Sequence, residues 1–151
     1  GVPLLVLLVV VQWWSRQDRQ RLRHTCIAAG LSFLAGLGLN QVILLFVHRV
    51  RPYDAGVSHL IIEHSADWSF PSDHATASFA IAAAFLLHGF KGRGSAFLVA
   101  ALAVCLSRVY VGTHYATDIL GGAATGIFAA VAVRRLYRAG TRMDRLVTGL
   151  L

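Results

Sequence analysis

The stretch SRVYVGTHYATD, residues 107–118, places an arginine, a histidine and an aspartate where a hydrophobic run ends. Arg108 carries a guanidinium, whose paired donors match the oxygens of a phosphate or carboxylate. His114 and Asp118 are four residues apart, so they share one face if the next helix begins by Thr113. A carboxylate that held one imidazole nitrogen would leave the other free as a nucleophile. The stretch therefore indicates chemistry on an anionic group.

Two other short stretches carry side chains suited to the same chemistry. In HRVRPYD, residues 48–54, the proline after Arg51 disfavours helix, which predicts that a span ends at Arg51. In SFPSDHA, residues 69–75, Pro71 fits the first turn of the next helix. The free N–H groups of that turn would carry the positive end of the helix dipole and could hold an anion. The candidate residues of this turn are Ser72, Asp73 and His74.

The elements that position these stretches are apolar runs in a chain of 151 residues, 56% hydrophobic and only 14% charged. Soluble domains carry about 25% charged residues, and about 20 apolar residues span a bilayer core. The sequence predicts an all-α, polytopic membrane helix bundle in a single domain, residues 1–151. The alternative is a soluble all-α protein with apolar core helices. The predicted spans are a short run at residues 1–14, then Cys26–Val47, Ala75–Gly89, Ser95–Val111 and Ala116–Val133.

The distribution of positive charge predicts the orientation of the spans. The net charge is +7 with 14 Lys and Arg, and eleven of these lie in three places that five spans bring to one side. By the positive-inside rule that side is cytoplasmic. Charges placed in loops between spans do not indicate a nucleic-acid surface. The remaining three cations, which lie at the opposite face with the three stretches, are Arg49, Arg51 and Arg108.

Two arginines, a helix N-terminus and two histidines on one membrane face suit phosphoryl transfer, in which one histidine attacks and the other protonates the leaving oxygen. The motifs RP, PSDH and SRVYVGTHYATD resemble those of the type 2 phosphatidic acid phosphatase superfamily: K-x6-R-P, P-S-G-H and S-R-x5-H-x3-D. The third motif matches in full, at Ser107, Arg108, His114 and Asp118. The second has Asp73 in place of glycine. In the first, Leu44 stands at the lysine position, and Arg49 is the candidate substitute.

The longer segments around the motifs resemble the bacterial undecaprenyl-diphosphatase branch of that superfamily; they are LNQVI, ADWSFPSDHATASF and SRVYVGTHYATDILGG. The resemblance implies a metal-independent lipid phosphatase with no cofactor, a six-helix core, a phosphohistidine intermediate and an active site facing away from the cytoplasm. Five runs are predicted here, so the family's first helix is expected to be absent or to lie upstream. The implied location is the bacterial inner membrane, and the implied substrate is a polyprenyl diphosphate.

The resemblance also implies a role for each matched residue. His114 is the nucleophile, Asp118 orients it, and His74 protonates the leaving lipid phosphate. The residues implied to bind phosphate are Arg51, Arg108, Ser72, Asp73 and Ser107, with Arg49 as the substitute for the lysine.

Three alternatives to this function stay open. A phosphatase of the same superfamily could act on phosphatidic acid or phosphatidylglycerol phosphate. Relatives that hold vanadate for halide oxidation are soluble, unlike this chain. A transporter or non-catalytic scaffold would carry polar residues through the midplane of the membrane, whereas charge here lies at one rim. Other polar residues have ordinary assignments: Asn40 as an interhelical hydrogen-bond partner, and His59, Glu63, His64 and Asp67 as a solvated loop.

Overall fold

The computed structural model describes residues 1–60 and 67–149, and these residues form six α-helices. Each predicted apolar run forms a helix, so the all-α prediction is confirmed. The short sixth helix was not predicted. The helices are α1 (Val2–Gln12), α2 (Arg19–Leu44), α3 (Asp73–Leu87), α4 (Lys91–Tyr110), α5 (Ala116–Leu136) and α6 (Arg142–Gly149).

Three helices, α2, α4 and α5, are long and apolar enough to cross a membrane. Helices α1 and α3 are apolar but shorter, with 11 and 15 residues. At about 1.5 Å per residue, α3 extends roughly 22 Å. The chain is a multi-pass membrane protein whose two shortest apolar helices are the first and the third.

The ends of the helices differ from the sequence-based expectation at the places that matter for the site. Helix α2 ends at Leu44, so the prediction that this span ends at Arg51 is wrong. Helix α3 begins at Asp73 with Ser72 as its N-cap, and Pro71, joined to Phe70 by a cis peptide bond, precedes the first turn. Helix α5 begins at Ala116, the predicted start of the last apolar run, so His114 lies before the helix and the condition that it begin by Thr113 is not met.

Helices α3 and α5 pack most closely, because α5 presents glycine where the two backbones meet. A Cβ atom added at Gly122 would collide with the carbonyl oxygen of Ser72 and would come within 2.9 Å of the Cβ atom of Ala75. The missing side chain lets the backbone N–H of Ser72 donate to the carbonyl oxygen of Asp118, 3.1 Å away. The start of α3 is thereby fixed against the start of α5.

The predicted sorting of basic residues to one end of the bundle is confirmed by contacts between the helix ends. Arg21, near the start of α2, donates to the carbonyl oxygen of His88 at the end of α3, 2.7 Å away. On the same end the buried carboxylate of Asp144 in α6 accepts hydrogen bonds from His24 and from the Tyr137 hydroxyl, each 2.7 Å. We call this the basic end; the three stretches with candidate site residues meet at the opposite end.

Candidate active site

The three motif stretches come together at the end of the bundle opposite the basic end. Arg49, in the stretch after α2, reaches Thr117 at the start of α5, with its Nη1 atom 2.5 Å from Oγ1. Ser58 donates to the carbonyl oxygen of Gly112, 2.9 Å away, and so connects the following loop to the turn between α4 and α5. In the second stretch, the backbone N–H of Ser69 donates to the carbonyl oxygen of Arg49 at 2.8 Å, so the structure brings the three stretches together as predicted.

His114 lies in the turn before α5 and is almost completely buried, with 6% of its surface exposed. Its Nδ1 atom is 2.8 Å from the backbone carbonyl oxygen of Ser69. A carbonyl oxygen only accepts, so Nδ1 carries the proton in the neutral ring and Nε2 keeps its lone pair. Nε2 lies 3.4 Å from Nη1 of Arg51. The ring thus presents a nucleophilic nitrogen toward a guanidinium.

Asp118 is fully buried in the first turn of α5, but its carboxylate lies 3.7 Å from Nδ1 of His114, beyond a normal hydrogen bond. One oxygen, Oδ2, accepts from the backbone N–H of Tyr115 at 2.8 Å and from the Ser69 hydroxyl. The other, Oδ1, accepts from Nη1 of Arg49 at 2.8 Å. The two side chains form an ion pair, and orientation of His114 by Asp118 remains a prediction.

Arg51 is buried and held by acceptors on two sides. Its Nε atom donates to the backbone carbonyl oxygen of Asp67, and its Nη2 atom donates to the carboxylate of the same residue, both at 2.9 Å. Nη1 donates to the carbonyl oxygen of Thr113 at 3.1 Å. Asp67 was expected in a solvated loop; its side chain is 57% exposed, yet it orients Arg51. Glu63 and His64, from the same expectation, lie outside the described residues.

The guanidinium of Arg49 contacts other side chains of the protein. Besides its bond to Asp118, its guanidinium lies over the Tyr115 ring, 4.1 Å from the centroid, a favourable cation–π contact. Leu44, at the motif's lysine position, is the last residue of α2. A phosphate contact by Arg49 remains a prediction, and its observed partners are a carboxylate and an aromatic ring.

The N-cap of α3 and the last turn of α4 each carry a buried polar atom without a partner among the described residues. The Ser72 hydroxyl and the Nε atom of Arg108 are buried, and neither has a hydrogen-bond partner among residues 1–60 and 67–149. Buried polar atoms are nearly always paired, so each of these two atoms is a candidate to bind an anion. Electrostatic interaction couples His74, in the same turn, to Arg108 and His114.

Two predicted phosphate-binding residues have partners within the protein. The carboxylate of Asp73 accepts a hydrogen bond from the amide of the fully buried Asn40, 2.6 Å away. Asn40 also donates to Thr76, which confirms its expected interhelical role. The hydroxyl of Ser107 donates to the carbonyl oxygen of Val104, one turn back in its own helix, at 2.6 Å. Direct binding of phosphate by Asp73 and Ser107 remains a prediction.

Sequence reasoning missed the role of Ser69. This residue is fully buried and contacts both His114 and Asp118. It lies within the quoted stretch 69–75, but one of its two contacts uses the backbone carbonyl, which every residue type carries. Its position directly before the second motif is the signal that could have drawn attention to it.

Comparison with known proteins finds a matching family and similar relatives. The family model of the PAP2 superfamily matches residues 25–142. The chain is 37% identical to undecaprenyl-diphosphatase BcrC of Bacillus subtilis over 123 residues, which is 82% of the chain and 61% of the relative. It is 33% identical to phosphatidylglycerophosphatase B of the same organism, over 64% of the chain and 50% of that relative. The chain thus spans between half and two thirds of these relatives.

A solved structure shows the same fold. The crystal structure of a transmembrane PAP2-type phosphatidylglycerolphosphate phosphatase from Bacillus subtilis aligns with a TM-score of 0.61. The alignment covers 91% of this chain and 69% of that protein, at 23% sequence identity. The helical bundle and the positions of its elements are therefore those of a known membrane phosphatase fold.

Proposed function

The chain belongs to the PAP2 superfamily, and from that premise we propose that it is an integral membrane lipid phosphatase. The proposed reaction is hydrolysis of undecaprenyl or another polyprenyl diphosphate to the monophosphate and inorganic phosphate. The similarity to a relative named undecaprenyl-diphosphatase supports the choice of substrate. The proposed role is recycling of a carrier lipid for cell-wall synthesis.

The observation that carries the proposal is the environment of His114. Its Nε2 lone pair faces Arg51, while the Ser72 hydroxyl and Nε of Arg108, also in the motif stretches, have no partner in the described part of the chain. A tetrahedral phosphate needs a nucleophile on one side and donors for its equatorial oxygens. The three motif stretches provide both kinds of group.

In the proposed mechanism, Nε2 of His114 attacks the terminal phosphorus and forms an N–P bond as the bridging P–O bond breaks. His74 gives its proton to the departing lipid phosphate. A water molecule, deprotonated by His74, then attacks the phosphohistidine, so that the N–P bond breaks and phosphate leaves. Arg51, Arg108 and the N–H groups at the start of α3 stabilise the charge on the equatorial oxygens.

The proposed location is the inner membrane of a bacterium, with the site at the outer surface. Support comes from the basic end, where Arg21, Arg93 and Arg134 gather opposite the site, because cytoplasmic loops are enriched in Lys and Arg. A phosphate-release assay on right-side-out and inside-out vesicles, with a water-soluble short-chain diphosphate, tests this location. Activity confined to inside-out vesicles would contradict it.

A second candidate is hydrolysis of a phospholipid monoester, favoured by the similarity to phosphatidylglycerophosphatase B. Phosphate release by purified protein should be compared on undecaprenyl diphosphate, phosphatidylglycerol phosphate and phosphatidic acid. The proposed function predicts the highest kcat/KM for the diphosphate. A higher value for either monoester would select the second candidate, and no release from any of the three would remove both.

A further inference from the structure

An apolar groove lies between α1 and α2, in the half of the bundle nearer the basic end. Its volume is about 350 Å³, and three helices line it: Val9 and Trp13 come from α1, Ile27 and Phe33 from α2, and Ile81 from α3. Gly30 of α2 also lines it, and a Cβ atom added there would meet no atom of the described residues within 4 Å. The groove therefore has room for a hydrocarbon chain.

The indole N–H of Trp13 lies where this groove reaches the basic end. Its Nε1 atom is buried and has no hydrogen-bond partner among residues 1–60 and 67–149. Arg23 holds the rest of the residue in place: its Nε atom donates to the Trp13 carbonyl oxygen at 3.4 Å, and its guanidinium lies 4.8 Å from the ring centroid. Because buried donors are nearly always paired, this N–H is a candidate to bind an acceptor that the protein chain does not supply.

Arg93, in the first turn of α4, brings a cationic donor to the same place. Its Nη2 atom donates to the hydroxyl of Ser15, in the turn that follows Trp13, at 3.4 Å. Its Nη1 atom is buried and has no partner in the described part of the chain. Electrostatic interaction couples Arg93 to Cys26, which lines the groove. A guanidinium suited to the oxygens of a phosphate therefore lies beside the end of the groove.

We propose that the groove binds one anionic phospholipid of the leaflet at the basic end, with an acyl chain between α1 and α2 and its phosphate at Trp13 and Arg93. Ordered water would satisfy either donor but would not fill the groove, because apolar walls offer water no partners. An amphipathic anion satisfies both the donors and the walls. The excess of Lys and Arg at this end favours a lipid with net negative charge. The inference goes beyond the proposed function, because the groove lies away from the motif residues.

Native mass spectrometry of the purified full chain in detergent, titrated with phosphatidylglycerol, measures this binding. Phosphatidylcholine with the same acyl chains is the lipid control, because its headgroup has no net charge. The wild type should bind phosphatidylglycerol at least about fivefold more tightly, which is the effect of one basic residue on an anionic headgroup. Equal affinities for the two lipids, or no bound lipid, would overturn the proposal.

Two substitutions test the headgroup contacts, each with a matched control. Arg93→Gln should weaken phosphatidylglycerol binding about 10- to 100-fold, as expected for loss of a charge-assisted hydrogen bond. Lys91→Gln removes the same charge from an exposed position in the same turn, and it should weaken binding less than about threefold because an exposed charge is screened. Trp13→Phe keeps an aromatic ring without the N–H and should weaken binding, whereas Trp14→Phe should not, since Trp14 is 65% exposed. Equal effects of Arg93→Gln and Lys91→Gln would indicate general attraction by charge and overturn the proposal.

A larger side chain in the groove tests the acyl-chain contact. Gly30→Leu fills the groove from a position where the added atoms meet open space, so it should weaken phosphatidylglycerol binding at least about 10-fold by displacing several methylene groups of the lipid. Gly38→Leu is the control, because Gly38 has the same open surroundings about two turns further along α2. Unchanged binding by a folded Gly30→Leu protein would overturn the proposal.

Two other occupants of the groove would give different results. If undecaprenyl phosphate binds there more tightly than phosphatidylglycerol, the groove holds the tail of the proposed reaction's product. If Gly30→Leu dissociates a dimer of the wild type while phosphatidylglycerol binding is unchanged, the groove is a contact between two copies of the chain. Either result overturns the proposal. A wild type that hydrolyses no lipid phosphate would remove the proposed function alone, because each test here measures binding.

Discussion

Nδ1 of His114 lies 2.8 Å from the backbone carbonyl oxygen of Ser69, closer than any carboxylate oxygen of Asp118, the nearer of which is 3.7 Å away. The acceptor nearest to Nδ1 is thus a neutral carbonyl oxygen, and the negatively charged carboxylate of Asp118 lies farther from it. The proton stays on Nδ1, and the opposite nitrogen faces Arg51 with a free electron pair. In the proposed mechanism, the ring is therefore oriented for attack before substrate binds.

Removal of the His114 imidazole should abolish turnover without unfolding the protein. His114→Ala is expected to lower kcat by at least about 10³-fold, because loss of a nucleophile leaves only binding and charge stabilisation. Phosphate release by purified protein measures the rate. His59→Ala is the matched control, since His59 is exposed in a loop. A His114→Ala protein that releases phosphate at the wild-type rate would remove the proposed mechanism.

The proton-donor role of His74 predicts a dependence on the leaving group. His74→Ala should slow hydrolysis of a lipid diphosphate by roughly 10²- to 10⁴-fold, as expected for loss of a general acid. An aryl phosphate such as p-nitrophenyl phosphate needs less protonation of its leaving oxygen, so its loss should be smaller. Parallel assays of the two substrates decide the matter. Equal losses on both would contradict the acid role.

Chelation should leave activity intact, because arginines and backbone N–H groups supply the charge stabilisation in the proposed mechanism. After dialysis against EDTA at about millimolar concentration, which removes bound divalent ions, the rate of phosphate release should stay within about twofold of the untreated protein. Vanadate should inhibit, because it can adopt the geometry of pentacoordinate phosphorus. Full loss with EDTA followed by recovery with Mg²⁺ would show that the reaction needs a metal.

The close packing of α3 and α5 predicts different effects at two glycines. A side chain at Gly122 would meet Ser72 and Ala75, so Gly122→Ala should lower the melting temperature and also displace the N-terminus of α3 from the site. Gly38 has open space around its Cβ position, and Gly38→Ala should raise helix stability by up to about 1 kcal/mol. Thermal unfolding in detergent and phosphate release test both. Similar effects of the two changes would refute the packing argument.

The buried Asp144 at the basic end should make stability depend on acid. Burial alone would raise the pKa of Asp144, but hydrogen bonds from His24, Tyr137 and the Gly140 N–H together hold that pKa below its usual value. The resulting stabilisation is fully present above the unfolded pKa of about 3.9 and is lost as the pH falls through the lower folded value. Asp144→Asn should therefore cost about 2 kcal/mol or more near neutrality.

Melting temperatures of the wild type and of Asp144→Asn, measured in detergent between about pH 3 and pH 7, test this expectation. The difference between the two proteins should stay constant from about pH 7 to about pH 4 and shrink only as the pH falls further. Asp18→Asn serves as the control, because Asp18 is exposed and makes no side-chain cap bond to α2. A gap between the wild type and Asp144→Asn that stays constant down to about pH 3 would argue against a charged Asp144.

The helices and the motif residues could be predicted from the sequence because hydropathy and motif spacing are local properties. The 8-residue α6 was missed because it is short and polar enough to lack an apolar run. The contact between Asp118 and His114 was expected from helical spacing, and the structure places Oδ2 and Nδ1 3.7 Å apart although His114 lies before α5. The sequence position of Arg49 alone led to the expectation that it binds phosphate. Its contacts with Asp118 and Tyr115 could not be predicted, because they depend on tertiary packing.

The glycine contact between α3 and α5 has a consequence for how substrate preference can change in such proteins. Gly122 and the residues it meets connect the reacting groups to the interior of the bundle, so alteration there disturbs chemistry and folding together. Helix α1, by contrast, makes few contacts with its neighbours and presents large apolar side chains outward. Under the proposed function, residues on that outer surface can therefore change to suit a different lipid tail with less disturbance to the proposed site than a change at Gly122.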